Sequence, residues 1–231
     1  DLIRIQGNGV ETALNRGDGS FEVVSQVLDP IQAPTGPDQS YALWTVGDMA
    51  DCVAIGDIDA DGDVDLVLAN RDGQANQILL NDGTLNFDEV REFGTGSDET
   101  RSVVLADLNE DGMLDIVAAN IGEPNAVYLA DAPGQFGQGI AFGRDEGTYA
   151  ATVVDVDRDG DLDIVVGNVR GQNAFYLNDE KGRSWREVLI GLEDVSTYGV
   201  AAADVNGDGF PELGFANSAS LNRLFLNVRS R

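Results

Sequence analysis

Aspartate falls on alternate residues in one nine-residue stretch, Asp57-Ile58-Asp59-Ala60-Asp61-Gly62-Asp63-Val64-Asp65. The stretch returns in register at Asp107–Asp115, Asp155–Asp163 and Asp204–Glu212. Position 1 is Asp57, Asp107, Asp155 and Asp204. Position 3 is Asp59, Asn109, Asp157 and Asn206, and position 5 is Asp61, Asp111, Asp159 and Asp208. Position 9 is Asp65, Asp115, Asp163 and Glu212. Only oxygen donors occupy these columns, and hard cations take such donors. Calcium accepts about 6–8 oxygens from carboxylates, amides, backbone carbonyls and water. Position 7 varies freely (Asp63, Met113, Asp161, Phe210), as a residue ligating through its carbonyl would. Position 6 is always glycine, which suits a sharp bend.

A competing reading is four acidic turns, since Asp, Asn and Gly favour turns without any metal. One copy leaves both readings open. Four copies in register favour the cation, because converging carboxylates repel each other when nothing neutralises them. The expectation is about four calcium ions, one per complete loop. Loops two and four carry Asn109 and Asn206, so they hold fewer carboxylates than loops one and three, which should bind more tightly. The fourth loop departs furthest, ending in Pro211 and Glu212. The loop begins like the helix-flanked calcium loop, but that loop runs twelve residues to a closing Glu. Here position 9 closes the site and a strand follows.

The elements around the loops repeat with them. First-position aspartates at 57, 107, 155 and 204 set a period near 49 residues. In each period an apolar strand enters the loop, as in Cys52–Gly56, and a second leaves it, as in Leu66–Asn70. A third follows at Asn76–Asn81, Asn125–Ala130, Asn173–Asn178 and Asn222–Asn227, and a fourth starts near Phe87, Phe136 or Trp185. Loop positions 2 and 8 are apolar and should pin the loop to a core. Four short strands per unit with turns between them predict an all-β protein, a β-propeller of four-stranded antiparallel blades. Residue 1 aligns with position 9 of a further loop and Asn227 closes a third strand, so the chain holds about four and a half blades. The divisions are a partial blade 1–28, an insertion 29–48, and blades over about 50–98, 99–147, 148–196 and 197–231. Either this is a piece of a larger propeller or a partner completes the truncated blades.

Composition narrows the function. The net charge is −27, from 41 acidic against 14 basic residues. Nucleic acid is not an expected partner, because phosphate binding needs a basic face. No apolar run reaches membrane-spanning length, so no membrane insertion is expected. Histidine is absent, which removes Ser-His-Asp and Cys-His chemistry and histidine-ligated zinc. Cys52 is the single cysteine, so no intrachain disulfide can form, and metal sites could staple the fold instead.

The run Arg101–Asn120 and the segment Asn173-Ala-Phe-Tyr-Leu-Asn178 resemble the FG-GAP / VCBS repeat. That resemblance covers nearly the whole chain apart from the 26–50 insertion. It implies the calcium-binding propeller of integrin α-subunits and many secreted bacterial proteins. It also implies that positions 1, 3, 5 and 9 ligate through side chains and position 7 through its carbonyl.

The leading functional expectation is an extracellular binding or adhesion module for glycan or protein, its metals structural and its location secreted or cell-surface. Its ligand face would lie opposite the metal loops and include Trp44 in the insertion. Arg101, Tyr149 and Tyr198 belong there too, each six residues before a loop, with Asp51 at the equivalent place. A second expectation is a structural subunit of a surface filament or coat, with self-association completing the blades. A third is a polysaccharide lyase or dehydratase using Arg101 and the two tyrosines. No catalytic residue is assigned.

Overall fold

The structure is a computed structural model. It describes residues 2–6, 9–15 and 21–26 as backbone, and residues 50–228 in full except 85, 145–146 and 192–194. The insertion with Trp44 lies outside the described residues. The chain divides into two units, Asp1–Thr45 and Val46–Arg231. In the first unit, β1 (Leu2–Gln6), β2 (Gly9–Asn15) and β3 (Phe21–Gln26) form an antiparallel sheet in chain order.

The second unit is a succession of antiparallel blades. The first blade is β4 (Ala50–Gly56), β5 (Asp65–Asn70), β6 (Asn76–Leu80) and β7 (Glu89–Phe93), paired in chain order. The second blade opens with β8 (Thr100–Ala106), β9 (Asp115–Asn120) and β10 (Asn125–Tyr128). A small hairpin, β11 (Ala130–Ala132) with β12 (Gln135–Phe136), then intervenes before β13 (Ile140–Phe142) closes the sheet beside β10. The third blade is β14 (Thr148–Val154), β15 (Asp163–Asn168), β16 (Asn173–Asp179) and β17 (Ser184–Ile190). The fourth is β18 (Ser196–Ala203), β19 (Glu212–Ser218) and β20 (Arg223–Phe225). The inner strands β4, β8, β14 and β18 follow one another as spatial neighbours. This is the predicted β-propeller, and no helix occurs among the described residues.

Sequence explains why the second strand of each blade is the most buried. DLVLAN, DIVAAN and DIVVGN are short continuous apolar runs, and every residue of β5, β9 and β15 is buried. Such a run suits a strand covered on both faces. Between blades, side chains interlock in three clusters. Ile58, Val67 and Ile78 meet Ile116 and Tyr128. Leu108, Val117 and Val127 meet Ile164 and Tyr176. Val156, Val165 and Leu177 meet Leu213 and Phe215.

A buried polar relay crosses the same junctions. Asn76 Nδ2 donates to Thr100 Oγ1 (2.8 Å), Asn125 Nδ2 to Thr148 Oγ1 (3.0 Å) and Asn173 Nδ2 to Thr197 Oγ1 (2.8 Å). The hydroxyls of Thr148 and Thr197 pass the chain on to Asn168 Oδ1 and Asn217 Oδ1. Each receiving asparagine then donates its backbone N–H to the next blade-internal asparagine, as Asn168 does to Asn173 at 2.8 Å. The asparagines that frame the second and third strands are therefore structural connectors.

Three expectations change. Phe136 does not start the fourth strand of its blade; it belongs to the extra hairpin, and β13 takes that place. The hairpin tip explains the difference: Gly134 N donates to the carbonyl of Ile58 (2.9 Å), and Arg91 Nη1 donates to the carbonyl of Gly134. This hairpin thus seats on the first acidic loop. Loop position 8 is not uniformly a core anchor, because Val64 is 52% exposed. Position 2 anchors only where a following blade covers it: Ile58, Leu108 and Val156 are buried, whereas Val205 is 62% exposed.

Candidate metal centres

Each acidic stretch is the connection between the first two strands of a blade. Position 9 opens the exit strand and pairs with the last residue of the entry strand: Gly56 with Asp65, Ala106 with Asp115, Val154 with Asp163, Ala203 with Glu212. Positions 1–8 form the turn. Two residues of each turn adopt left-handed backbone. Glycine at position 6 has φ between 88° (Gly112) and 104° (Gly160). Position 4 has φ near 60° in Ala60, Glu110 and Arg158, and 78° in Gly207. Left-handed backbone costs a non-glycine residue about 1–2 kcal/mol, so the first three loops carry local strain that the column of glycines at position 6 does not reveal. Nothing in the residue types at position 4 signals it except Gly207.

Backbone N–H groups hold the turn from inside. Asp57 accepts from Asp61 N (3.0 Å) and Gly62 N (3.1 Å), and Asp107 accepts from Asp111 N and Gly112 N. Asp155 accepts from Gly160 N, and Asp204 from Gly207 N and Gly209 N. Position 5 accepts from the N–H of position 7 in every loop, at 2.9–3.0 Å. Position 7 is therefore held by its backbone, which is why Asp63, Met113, Asp161 and Phe210 are interchangeable there.

Position 9 is the buried floor. Asp65, Asp115 and Asp163 each accept two backbone hydrogen bonds, one per oxygen. Oδ2 takes the N–H of loop position 2 (Ile58, Leu108, Val156; 2.8–2.9 Å). Oδ1 takes an N–H from beyond the third strand (Asn81, Ala130) or within it (Asn178), at 2.8 Å. Glu212 is longer and reaches differently, with Oε2 on Val205 N and Oε1 on Asn206 Nδ2, both at 3.0 Å. The fourth loop thus keeps a closing carboxylate on an altered path. This latch role was not legible from spacing alone.

The acidic side chains converge most in two loops. Carboxylate oxygens of Asp57, Asp59 and Asp61 lie within 4.8 Å of one another, and so do those of Asp155, Asp157 and Asp159. Asp59 Oδ1 and Asp155 Oδ1 are buried and accept no hydrogen bond. Burial, followed by the neighbouring carboxylates Asp65 and Asp61, pushes the Asp59 carboxyl up; burial, then Asp159, does the same to Asp157. Burial raises Asp115, and it pushes Asp163 up to about 6 despite two backbone donors. Loops two and four soften their own repulsion. Asn109 Nδ2 donates to Asp111 Oδ2 (2.9 Å) and Asn206 Nδ2 to Glu212 Oε1. An all-oxygen cluster with orphaned buried lone pairs fits a hard cation.

Repeat matching agrees with this geometry. The FG-GAP-like repeat model matches residues 57–118, 107–166 and 155–215, which together make up well over half of the chain. The chain belongs to the FG-GAP-like repeat family. Each matched FG-GAP repeat runs from one acidic loop through the next. No curated protein sequence matches the chain. Solved structures similar to it include BBS1N in complex with ARL6DN in crystals soaked with mercury, and the same complex soaked with lead. The first is 15% identical with a TM-score of 0.46, covering 73% of this chain and 47% of that one. The second is 13% identical with a TM-score of 0.48, covering 73% and 51%. The chain thus spans about half the length of these structures.

The other predicted face is built by bulges. Register shifts at the head of each inner strand leave Asp51, Arg101, Tyr149 and Tyr198 as the extra, unpaired residues. A bulge re-aims its side chain. The four do not form an even ring. Arg101 is tied to Asp51 and Glu99, with Arg71 also beside Asp51. Tyr149 and Tyr198 pack edge to face at 4.7 Å, with Tyr198 half exposed. These residues sit at the opposite ends of the seven- to eight-residue inner strands from the acidic loops. At about 3.3 Å per residue that is about 20 Å away.

Proposed function

We propose that this FG-GAP chain is a calcium-binding, extracellular β-propeller that serves as a binding or adhesion module for a glycan or protein. The observation that carries the reading is the convergence of Asp57, Asp59 and Asp61, and of Asp155, Asp157 and Asp159, with buried lone pairs left unmet. Side chains at positions 1, 3, 5 and 9 and the carbonyl at position 7 would hold the ion in all four loops. A bound cation supplies positive charge where carboxylates crowd, and so ties the first hairpin of each blade closed. That role is structural. It leaves the bulge-built face with its tyrosine pair as a surface for a partner. Weak calcium sites belong where calcium is abundant, outside the cell. Calcium is favoured over magnesium because magnesium usually retains several waters.

The test is thermal melting with calcium and with excess chelator, with size-exclusion chromatography in both states. A ligand at 100 times its Kd stabilises by about 2.7 kcal/mol per site, so several sites should raise the melting temperature by many degrees. A monomeric peak in both states is expected. Calcium-dependent assembly into large species would replace the module by a filament subunit. An unchanged melting temperature would overturn the metal assignment.

A further inference from the structure

One interblade cleft is unlike the rest of the repeat, and its difference is chemical. It has a volume of about 710 Å³ and lies between the end of β7 with the following turn and the outer part of the second blade. That size is within the roughly 300–1,000 Å³ of small-ligand sites. Tyr128 lines it. The third blade shows what a tyrosine at this place ordinarily does: Tyr176 lies opposite Glu187 of its own outer strand and donates its hydroxyl to Glu187 Oε1 at 3.1 Å. In the second blade the pairing Val127↔Ile140 places glycine, Gly139, next in register opposite Tyr128. A Cβ on Gly139 would stand 2.7–3.1 Å from the tyrosine ring and hydroxyl, so the glycine keeps this space open. Tyr128 is only 6% exposed, and its hydroxyl makes no hydrogen bond to any described residue. The ring is buried while the hydroxyl opens on the cleft, where it can donate to whatever fills the space.

The surroundings say what that partner would be. Glu92, Asp98 and Glu123 line the same cleft. Burial, then Asp98 and Glu123, pushes the Tyr128 hydroxyl up to about 12, so it stays a proton donor. Arg91, the one basic group among the described residues that line the cleft, is already taken by Glu89 and the Gly134 carbonyl. An anionic ligand would therefore meet like charge. An ammonium group has donors but no acceptor, so it would leave the tyrosine unmet. A hydroxyl does both, accepting from Tyr128 and donating to the carboxylates. Ile78, Phe93 and Phe136 supply an apolar wall for C–H groups.

We propose that this cleft is a carbohydrate subsite, in which Tyr128 donates to a hydroxyl of a neutral sugar and Gly139 is the residue that opens it. The assignment rests on the reading of the chain as a binding module and narrows it to a neutral saccharide. Among the described residues, no metal-ligand position lines the cleft, although the hairpin that supplies Gly134 and Phe136 seats on the first acidic loop.

The test is a two-dimensional amide NMR titration of the full chain with glucose, galactose, mannose and N-acetylglucosamine, one at a time, with calcium and again without. At least one sugar is expected to give saturable shifts at Gly94, Gly137 and Gly139. Tyr128→Phe, which keeps the ring, should weaken that binding about 3- to 10-fold, the value of one hydrogen bond, at an unchanged melting temperature. Gly139→Glu, which restores the carboxylate present in the third blade, should abolish it. Absence of saturable shifts at those glycines with all four sugars overturns the proposal. So does equal affinity in Tyr128→Phe, or lysine amide saturating the same glycines where no sugar does. A negative sugar titration beside a positive calcium melt would remove this subsite and leave the calcium reading standing.

Discussion

The carboxyl group of Asp163 is buried, flanked by Asp157 and Asp159, and pushed up to about 6 from its ordinary value. Asp115 and Asp157 move in the same direction. Between the ordinary carboxylate range and the raised value, the folded protein holds a proton that the unfolded chain has released. For these groups, stability without calcium therefore rises as pH falls from about 7 to about 5, since stability falls with pH wherever the folded state binds more protons. A full two-unit shift corresponds to about 3 kcal/mol. Calcium requires the ionised carboxylates, so its own stabilisation weakens over the same window. Melting temperatures of calcium-free and calcium-loaded protein at the two pH values should converge toward pH 5. An equal calcium effect at both pH values would show that these loops do not carry the ion. Residue types alone pointed to these positions, because oxygen donors in four aligned columns leave few other readings. They did not reveal that position 9 spends both oxygens on backbone N–H groups, since those partners come from the turn and from strand residues well beyond the loop.

At the scale of the element, the informative unit is the junction between blades. Thr148 Oγ1 accepts from Asn125 Nδ2 in the preceding blade and donates to Asn168 Oδ1 in its own. Thr148→Val keeps the shape and removes both bonds, leaving two buried amide groups unmet. A cost of about 2–3 kcal/mol is expected, read as a lower denaturant midpoint with an unchanged slope. A loss no larger than that of an exposed Thr→Val control would mean the relay is incidental. The strands themselves were legible, because short apolar runs bounded by Asn, Asp and Gly have few alternatives to a strand. The extra hairpin β11–β12 was not. Phe136 looks like the aromatic that starts an outer strand, and only its docking against the first loop, with Gly134 N on the Ile58 carbonyl, explains its position.

For the molecule as a whole, the dominant quantity is its net charge of −27. Some of the described ion pairs join exposed side chains, as Lys181 with Glu110 and Arg186 with Asp179. Such pairs each contribute little, so general repulsion is offset poorly. In the presence of chelator, added sodium chloride should raise the melting temperature steadily, because the Debye length shrinks from about 10 Å at 0.1 M to about 3 Å at 1 M. Calcium at far lower concentration should exceed that effect if it acts at sites. Equal effects of calcium and of sodium chloride at matched ionic strength would indicate screening alone.

Amino-acid order by itself determined the repeat, the antiparallel blades and the acidic columns, because each rests on local periodicity and on donor types at fixed spacing. Tertiary structure decided the rest. Val205 has the same apolar character as Ile58, yet only a neighbouring blade makes such a residue part of a core. Tyr128 and Tyr176 occupy the same place in consecutive blades, yet one meets a glutamate and the other a glycine across the strand. The pairing that separates them lies between strands, where contacts depend on register and packing rather than on neighbours along the chain.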